Sequence, residues 1–465
     1  MKKIGVFLFS VLLTASAFAQ IKPNIIFILA DDLGYGDIGV YGQKLIETPN
    51  IDKLAANGIL FTQFYAGTTV CAPSRAALMT GLHTGHTPIR GNYEIQPEGQ
   101  APLPDSAFTM AELFKKGGYT TGIFGKWGLG YPGSTGEPNK QGFDEFYGYN
   151  CQRQSHNFFP DHLWHNAQRI ACPNTPDNQQ QYAPEVIQEK AMEFMNANAG
   201  NPFFMYLAYT LPHAGLQLPE GDALFEYYKD KFGEKPKVIP DTWNGTGYQP
   251  QAYPLAAYAA MVGKLDQYVG EVVANIKALG IEKNTLIIFT SDNGPHREGG
   301  NQPEYFNSSG SFRGIKRDLY EGGIRVPMIA SWPTVIKKGE ESDHIGASWD
   351  FLPTFADLLN QPLPNHTDGI SILPTLRAKG KQPRHQFLYW EFHENGGRQA
   401  VRMNNWKGVR LNVKEDRNNP LQLFDLKENP YETTNISHLH PDIVKQISQI
   451  MDEAHIENET FPLFP

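Results

Sequence analysis

Between Asn24 and Ala30 the chain reads Asn-Ile-Ile-Phe-Ile-Leu-Ala, an apolar run closed by Asp31-Asp32. A short run without polar alternation predicts a strand covered on both faces. The pattern recurs at Phe203–Ala208 and at Thr285–Ser291, the second closed by Asp292-Asn293. Residues 59–65, 120–125 and 327–331 read as further strands. Between these runs the apolar spacing changes to the helical period. Thr48-Pro49 opens a helix that Gly58 closes, the threonine as cap and the proline in the first turn. Residues 73–80, 110–116, 183–198 and 255–279 read as helices as well. Strand alternating with helix in this way predicts an α/β fold, a large, mostly parallel sheet sandwiched by helices.

After Pro383 the pattern shortens. Residues 387–392, 398–403, 407–411 and 421–426 are brief strands parted by Gly, Asn and Asp turns, and a helix covers about 442–455. This predicts a small C-terminal antiparallel β subdomain plus helix over 384–465, beside a main domain over 20–383. Residues 216–254 form a polar, Pro-rich stretch dotted with Tyr and Trp, as a substrate-facing insertion would be. At the other end, Lys2-Lys3, an apolar run over 4–13 and Ala17-Phe18-Ala19 read as a secretory signal peptide over 1–19. The expected location is periplasmic or secreted. No later run approaches the ~20 apolar residues of a membrane helix, so a spanning protein is not expected.

Composition narrows the classes. Of 465 residues, 40% are hydrophobic and 19% charged, which excludes disorder and a coiled coil. The formal charge is −9, the wrong sign for a chain whose main partner is nucleic acid. The three cysteines, Cys71, Cys151 and Cys172, are an odd number for an exported chain. They suggest one thiol with a separate fate and a pair, Cys151 with Cys172, that could form a disulfide.

In open α/β sheets ligands bind beyond the carboxyl ends of the strands, and two strands here end in oxygen donors. Asp31, Asp32, Asp292 and Asn293 brought together would repel unless a hard cation sat among them, Ca²⁺ or Mg²⁺ rather than zinc. The alternative is that both pairs are turn residues, and this pattern alone leaves the two readings level.

The segment Cys71-Ala72-Pro73-Ser74-Arg75, continued to Thr80-Gly81, changes that balance. It resembles the formylglycine-dependent sulfatases of the alkaline phosphatase superfamily, whose hallmark is C-x-P-S-R-x-x-x-x-T-G. Other blocks of that family follow in order: Gly125-Lys126-Trp127, Pro212-His213, Ser291-Asp292-Asn293-Gly294, Gly314-Ile315-Lys316 and Tyr320-Glu321-Gly322-Gly323. The resemblance implies that a formylglycine-generating maturation enzyme oxidises Cys71 to an aldehyde, whose hydrate attacks a sulfate ester. It further implies that Asp31, Asp32, Asp292, Asn293 and residue 71 hold calcium, and that Arg75, Lys126 and Lys316 bind sulfate. His213 would protonate the departing alcohol. A helix start at Cys71 suits this use, because unpaired N–H groups there favour an anion.

One position departs. Where the family carries a histidine that takes a proton from the formylglycine hydroxyl, this chain has Gly128. His83, His86, His156 and His162 are the candidates to replace it. For the leaving group, Arg153, His156, His162 and Trp164 offer the aromatic and planar polar surfaces that suit sugar rings. The expected substrate is therefore a sulfated carbohydrate, of galactose or N-acetylgalactosamine type. Two alternatives stand beside it: a phosphonate monoester or phosphodiester hydrolase with the same nucleophile, and a non-catalytic exported glycan-binding protein.

Overall fold

The computed structural model describes residues 22–175, 178–239 and 247–464. The leader-like segment 1–19 lies outside them. The main sheet has ten strands: β1 (Asn24–Ala30), β2 (Ile59–Phe61), β3 (Thr120–Lys126), β4 (Glu145–Tyr149), β5 (His162–His165), β6 (Gln168–Ala171), β7 (Phe203–Ala208), β8 (Thr285–Ser291), β9 (Met328–Ser331) and β10 (Glu340–Ser342). Their order across the sheet is β10-β2-β9-β8-β1-β7-β3-β4-β5-β6. The five central strands from β8 to β4 are parallel, and the antiparallel pairings involve β9 and β5.

The unbroken apolar runs have a direct cause. In β1, Ile26, Ile28 and Ala30 enter one core while Ile25, Phe27 and Leu29 enter the other. Strand β7 divides in the same way, with Met205 and Leu207 on one side and Phe204 and Tyr206 on the other. Alternate side chains point to opposite faces, so a strand with helices on both sides needs apolar residues at every position. The first core is roofed by α1 (Pro49–Ala56), α4 (Ala183–Asn198) and α6 (Pro254–Ala278). The second is roofed by α2 (Cys71–Thr80), α3 (Met110–Lys116) and α7 (Phe351–Leu359). Helix α5 (Ala223–Phe232) sits inside the stretch read as a polar insertion; its cap is Asp222, whose carboxylate accepts from the N–H groups of Leu224 and Phe225.

Some local expectations are corrected. Thr48 does not cap α1 with its side chain; its hydroxyl accepts from the Gly39 N–H and donates to Asp52. The run at 59–65 is two short strands rather than one, because Phe64–Tyr65 leaves the main sheet to pair with Gly346–Ala347. The helix expected over 73–80 begins at Cys71, with Val70 in extended conformation before it.

The second sheet is antiparallel and four-stranded: β11 (Leu388–Phe392), β12 (Arg398–Met403), β13 (Trp406–Leu411) and β14 (Gln422–Asp425), with α8 (Pro441–Glu453) packed on β12. Buried charges tie it to the main body. Lys407 of β13 meets Glu321 at 2.8 Å, and Glu321 accepts from the Tyr65 hydroxyl at 2.6 Å. The Tyr320–Gly323 block is therefore a joint between the two sheets.

The disulfide expected between Cys151 and Cys172 is not formed; both thiols are free. The sheet explains why. Cys151 follows β4 and Cys172 follows β6, with β5 between them. Two strand spacings make roughly 10 Å, beyond the ~7 Å that a disulfide spans between Cα atoms.

Candidate active site

The carboxyl ends of β1, β3 and β8 converge on the start of α2. Asp31 and Asp32 leave β1, and Asp32 takes a left-handed backbone (φ 65°). Asp tolerates that conformation better than most residues. The turn lets both carboxylates reach Cys71, whose Sγ lies 3.3 Å from Asp31 Oδ1 and 3.9 Å from Asp32 Oδ1. Lys126, the last residue of β3, reaches Asp31 Oδ2 at 2.7 Å. Arg75, one helical turn after Cys71, donates through Nε and Nη2 to Asp292 Oδ2 at 3.1 and 2.9 Å and through Nη1 to the Lys126 carbonyl at 2.7 Å. Lys316 completes the ring, 2.7 Å from Asp32 Oδ2 and 3.0 Å from His213 Nε2.

These groups are all buried, so each charge is set by its neighbours. Burial would raise Asp31, but Lys126, His213, Arg75 and Lys316 hold it well below the ordinary carboxylate range. Asp292 is pushed up to about 7 by burial and by Asp31, against the pull of Arg75. Lys316 is held well above its usual value despite burial, because Asp32 faces it. Burial and then Lys316 press His213 well below the ordinary imidazole value. The bonds fix its tautomer: Nδ1 faces the Ala214 carbonyl, so Nε2 is the acceptor, and Lys316 donates to it.

The oxygen donors fit a hard cation. Asp31, Asp32, Cys71 and His213 each place a donor atom within 4.8 Å of the others. The Asn293 Oδ1 is buried with no hydrogen-bond partner, while its Nδ2 donates to Asp32 Oδ1 at 2.7 Å. An orphaned carbonyl oxygen beside two carboxylates is the donor set that calcium or magnesium takes. Asp292 is more committed than the sequence suggested. One of its oxygens holds Arg75 and the other accepts from the Asp32 N–H at 3.1 Å.

A cavity of about 340 Å³ opens over Cys71, walled by His156, His213, Tyr248, Lys316 and Gln152. Arg153 and Arg317 also border it. Of the four residues read as sugar contacts, Arg153 and His156 are thus in place. His156 stacks on His213 with ring centroids 4.3 Å apart and 6° between planes. His162 and Trp164 do not line the cavity; both bond Glu98, at 2.7 Å each. Among the four histidines considered as replacements at the Gly128 position, only His156 borders the cavity. His83 and His86 instead gather around Asp368.

Gln152 and Tyr248 were not singled out from sequence. Gly128 has φ 75°, and a Cβ built there would stand 2.0 Å from the Gln152 amide nitrogen. The glutamine occupies the space that a side chain at 128 would need. A glycine in place of a histidine was the signal for such a neighbour, though not for its identity. Tyr248 lies within the 216–254 stretch and reaches His156 at 5.2 Å between ring centroids.

A buried thiol at a helix start, ringed by carboxylates and cations at the ends of parallel strands, is the arrangement that suits a hydrolase of anionic esters. Comparison with known proteins narrows this. Residues 23–361 match the family model for sulfatases, and residues 311–457 match that for the C-terminal region of N-sulphoglucosamine sulphohydrolase. Arylsulfatase A of Bos taurus is 33% identical over 477 aligned residues, covering 94% of this chain and 89% of its own. N-acetylgalactosamine-6-sulfatase of Rattus norvegicus is 34% identical, covering 78% of this chain and 67% of its own. The crystal structure of Ps i-CgsB in complex with k-i-k-neocarrahexaose superposes with a TM-score of 0.76 at 30% identity, covering 93% of this chain and 92% of that one. The chain belongs to the sulfatase family, and its activity is that of a sulfuric ester hydrolase. That family generally works with a formylglycine and a metal ion.

Proposed function

We propose that this protein removes sulfate from a carbohydrate, with residue 71 as the formylglycine nucleophile. The observation that carries the reading is the placement of Cys71 Sγ, 3.3 Å from Asp31 and inside the ring made by Lys126, Arg75 and Lys316. After maturation the oxygen on that Cβ takes the place of sulfur. A galactose- or N-acetylgalactosamine-type sugar is supported by the relatives, one an N-acetylgalactosamine-6-sulfatase and one solved in complex with k-i-k-neocarrahexaose.

The roles follow from the contacts. Asp31 and Asp32 would hold calcium (or magnesium) with the Asn293 carbonyl and the residue 71 oxygen, and Asp292 would supplement them. When bound, that ion offsets negative charge on the nucleophile and the sulfate. Lys126, Arg75 and Lys316 bind the sulfate oxygens and stabilise charge spread over them in transfer. One hydroxyl of the hydrated aldehyde attacks sulfur, and the alcohol leaves. The Lys316–His213 pair holds the proton that the leaving oxygen needs. His156, kept neutral by burial and by the nearby His213 and lysines, would accept the proton of the second hydroxyl as sulfate is expelled and the aldehyde returns. We place the enzyme outside the cytoplasm on the pattern of residues 1–19; among the described residues no helix is long and apolar enough to cross a membrane.

The test is a panel of position-specific sulfated galactose and N-acetylgalactosamine sugars, with a matching phosphonate monoester, given to matured protein. Sulfate release from at least one sugar, well above phosphonate cleavage, is expected. In His156→Ala a sulfated residue 71 should accumulate in the mass spectrum. Phosphonate cleavage exceeding every sulfate would overturn the reading.

A further inference from the structure

One sulfate needs few cations, and the floor of the cavity supplies them. Arg75, Lys126 and Lys316 are buried, each within 3.1 Å of an aspartate oxygen. Two further arginines border the same cavity, with side chains 57% (Arg153) and 38% (Arg317) exposed. Arg153 is occupied by Glu94 at 3.0 Å and by the Pro97 carbonyl at 2.7 Å. Arg317 is different. Its Nη1 meets Glu298, and its guanidinium makes no other hydrogen bond among the described residues. Nor is Glu298 reserved for it, since the second carboxylate oxygen faces His296 Nδ1 at 3.3 Å.

The backbone at Arg317 is left-handed (φ 75°), a conformation that is costly for a residue with a Cβ. In extended chain, neighbouring side chains point to opposite sides. The left-handed turn instead brings Lys316 and Arg317 to the same cavity. Two bonds hold the turn in place. The Arg317 N–H donates to the Thr69 carbonyl at 3.1 Å, two residues before Cys71, and its own carbonyl accepts from Arg398 Nη1 of β12 at 2.6 Å. Strain fixed between the nucleophile loop and the C-terminal sheet points to a use for the side chain it presents. A guanidinium with an uncommitted edge matches the paired oxygens of a sulfate or a carboxylate.

We infer that Arg317 binds a second anionic group of the substrate, so that the preferred substrate is a sugar sulfate carrying another sulfate or a carboxylate near the scissile ester. This rests on the reading of the cavity as a carbohydrate sulfatase site. Arg317 is then a specificity residue, acting on the choice of sugar rather than on the bond broken.

The experiment compares matured wild-type protein with Arg317→Asn and Arg317→Lys. Asparagine suits the left-handed backbone, so that variant should fold with a thermal midpoint at or above wild type. The substrates are monosulfated sugars, their disulfated counterparts, and sulfated disaccharides carrying a uronate. Wild type should favour a doubly anionic substrate by about 10-fold or more in kcat/KM, mostly through KM. Arg317→Asn should bring that ratio close to one, and Arg317→Lys should keep part of it as a point charge without the fork. The disulfated and uronate arms tell which anion is preferred. Equal wild-type turnover of singly and doubly anionic sugars would overturn the inference while leaving the sulfatase reading intact. So would a loss in Arg317→Asn that is the same on both. Failure of wild type on every sugar sulfate would overturn the functional reading and this inference with it.

Discussion

A histidine at position 128 would need space that Gln152 already fills. The Gly128 backbone is left-handed, and its virtual Cβ stands 2.0 Å from the Gln152 Nε2. Gly128→His should therefore destabilise the fold by about 1–3 kcal/mol through overpacking. Urea unfolding would measure it, and the double variant with Gln152→Gly should recover the packing part of the loss but not the part set by the left-handed backbone. A single variant as stable as wild type would show that Gln152 is free to move aside. His213 offers a second test at this scale. A sugar alkoxide is a poor leaving group and needs a proton, whereas nitrophenolate needs little. His213→Ala should lower kcat/KM by about 100-fold or more on sugar sulfates and far less on nitrophenyl sulfate. Equal losses on the two would remove His213 from the pair that supplies the leaving group's proton.

At the scale of elements, the site depends on α2 starting where three strand ends meet, and the C-terminal sheet is pinned against that arrangement. Glu391 of β11 shows how. It is buried, with its carboxylate 2.9 Å from Arg90 Nη1, 3.1 Å from His393, 2.8 Å from His455 and 2.7 Å from the Tyr389 hydroxyl. One side chain thus joins the segment after α2, a strand of the small sheet, and the tail beyond α8. Burial would raise its pKa, but the bonds from His393 and His455 and the charge of Arg90 lower it to about 2 from an ordinary 4.5. A depressed carboxyl contributes stability above its unfolded pKa, and that contribution is lost as pH falls toward the folded value. The joint should therefore lose about 3 kcal/mol between about pH 4.5 and pH 2. Denaturant unfolding followed over that window would measure it against Glu391→Gln, which should be weaker at neutral pH and flatter below pH 4.5. Parallel slopes in both proteins would place the acid sensitivity elsewhere.

On the scale of the whole molecule, the parts that were legible in the sequence are those fixed by local pattern. Asn24–Ala30 and Thr285–Ser291 announce buried strands because both of their faces are covered, and Asp31-Asp32 and Asp292-Asn293 after them stand at the end where ligands bind in open α/β sheets. The Cys71–Arg75 motif, Lys126, His213 and Lys316 lie far apart in the chain, and motif order alone joined them in the sequence. The structure gathers them within hydrogen-bonding reach of Asp31, Asp32 and Asp292. What was not legible depends on packing between distant segments. His162 and Trp164 have the composition of a sugar platform, yet Glu98 from another loop claims both. The interval from Cys151 to Cys172 allows a loop closure that β5 prevents by lying between them. Gln152, Tyr248 and Arg317 carry no motif, and only the shape of the cavity selects them.

The central claim is that the carbon of residue 71, once oxidised to an aldehyde, is the atom that performs the chemistry. Co-expression with graded amounts of a formylglycine-generating enzyme yields preparations with different aldehyde content at that position. Peptide mass spectrometry gives the aldehyde fraction, and sulfate release from one sugar sulfate gives the specific activity of the same sample. The account predicts a straight line through the origin, with Cys71→Ala at the origin, about 10⁴-fold or more below the matured protein. Appreciable sulfate release from protein whose residue 71 is wholly thiol, or from Cys71→Ala, would contradict it.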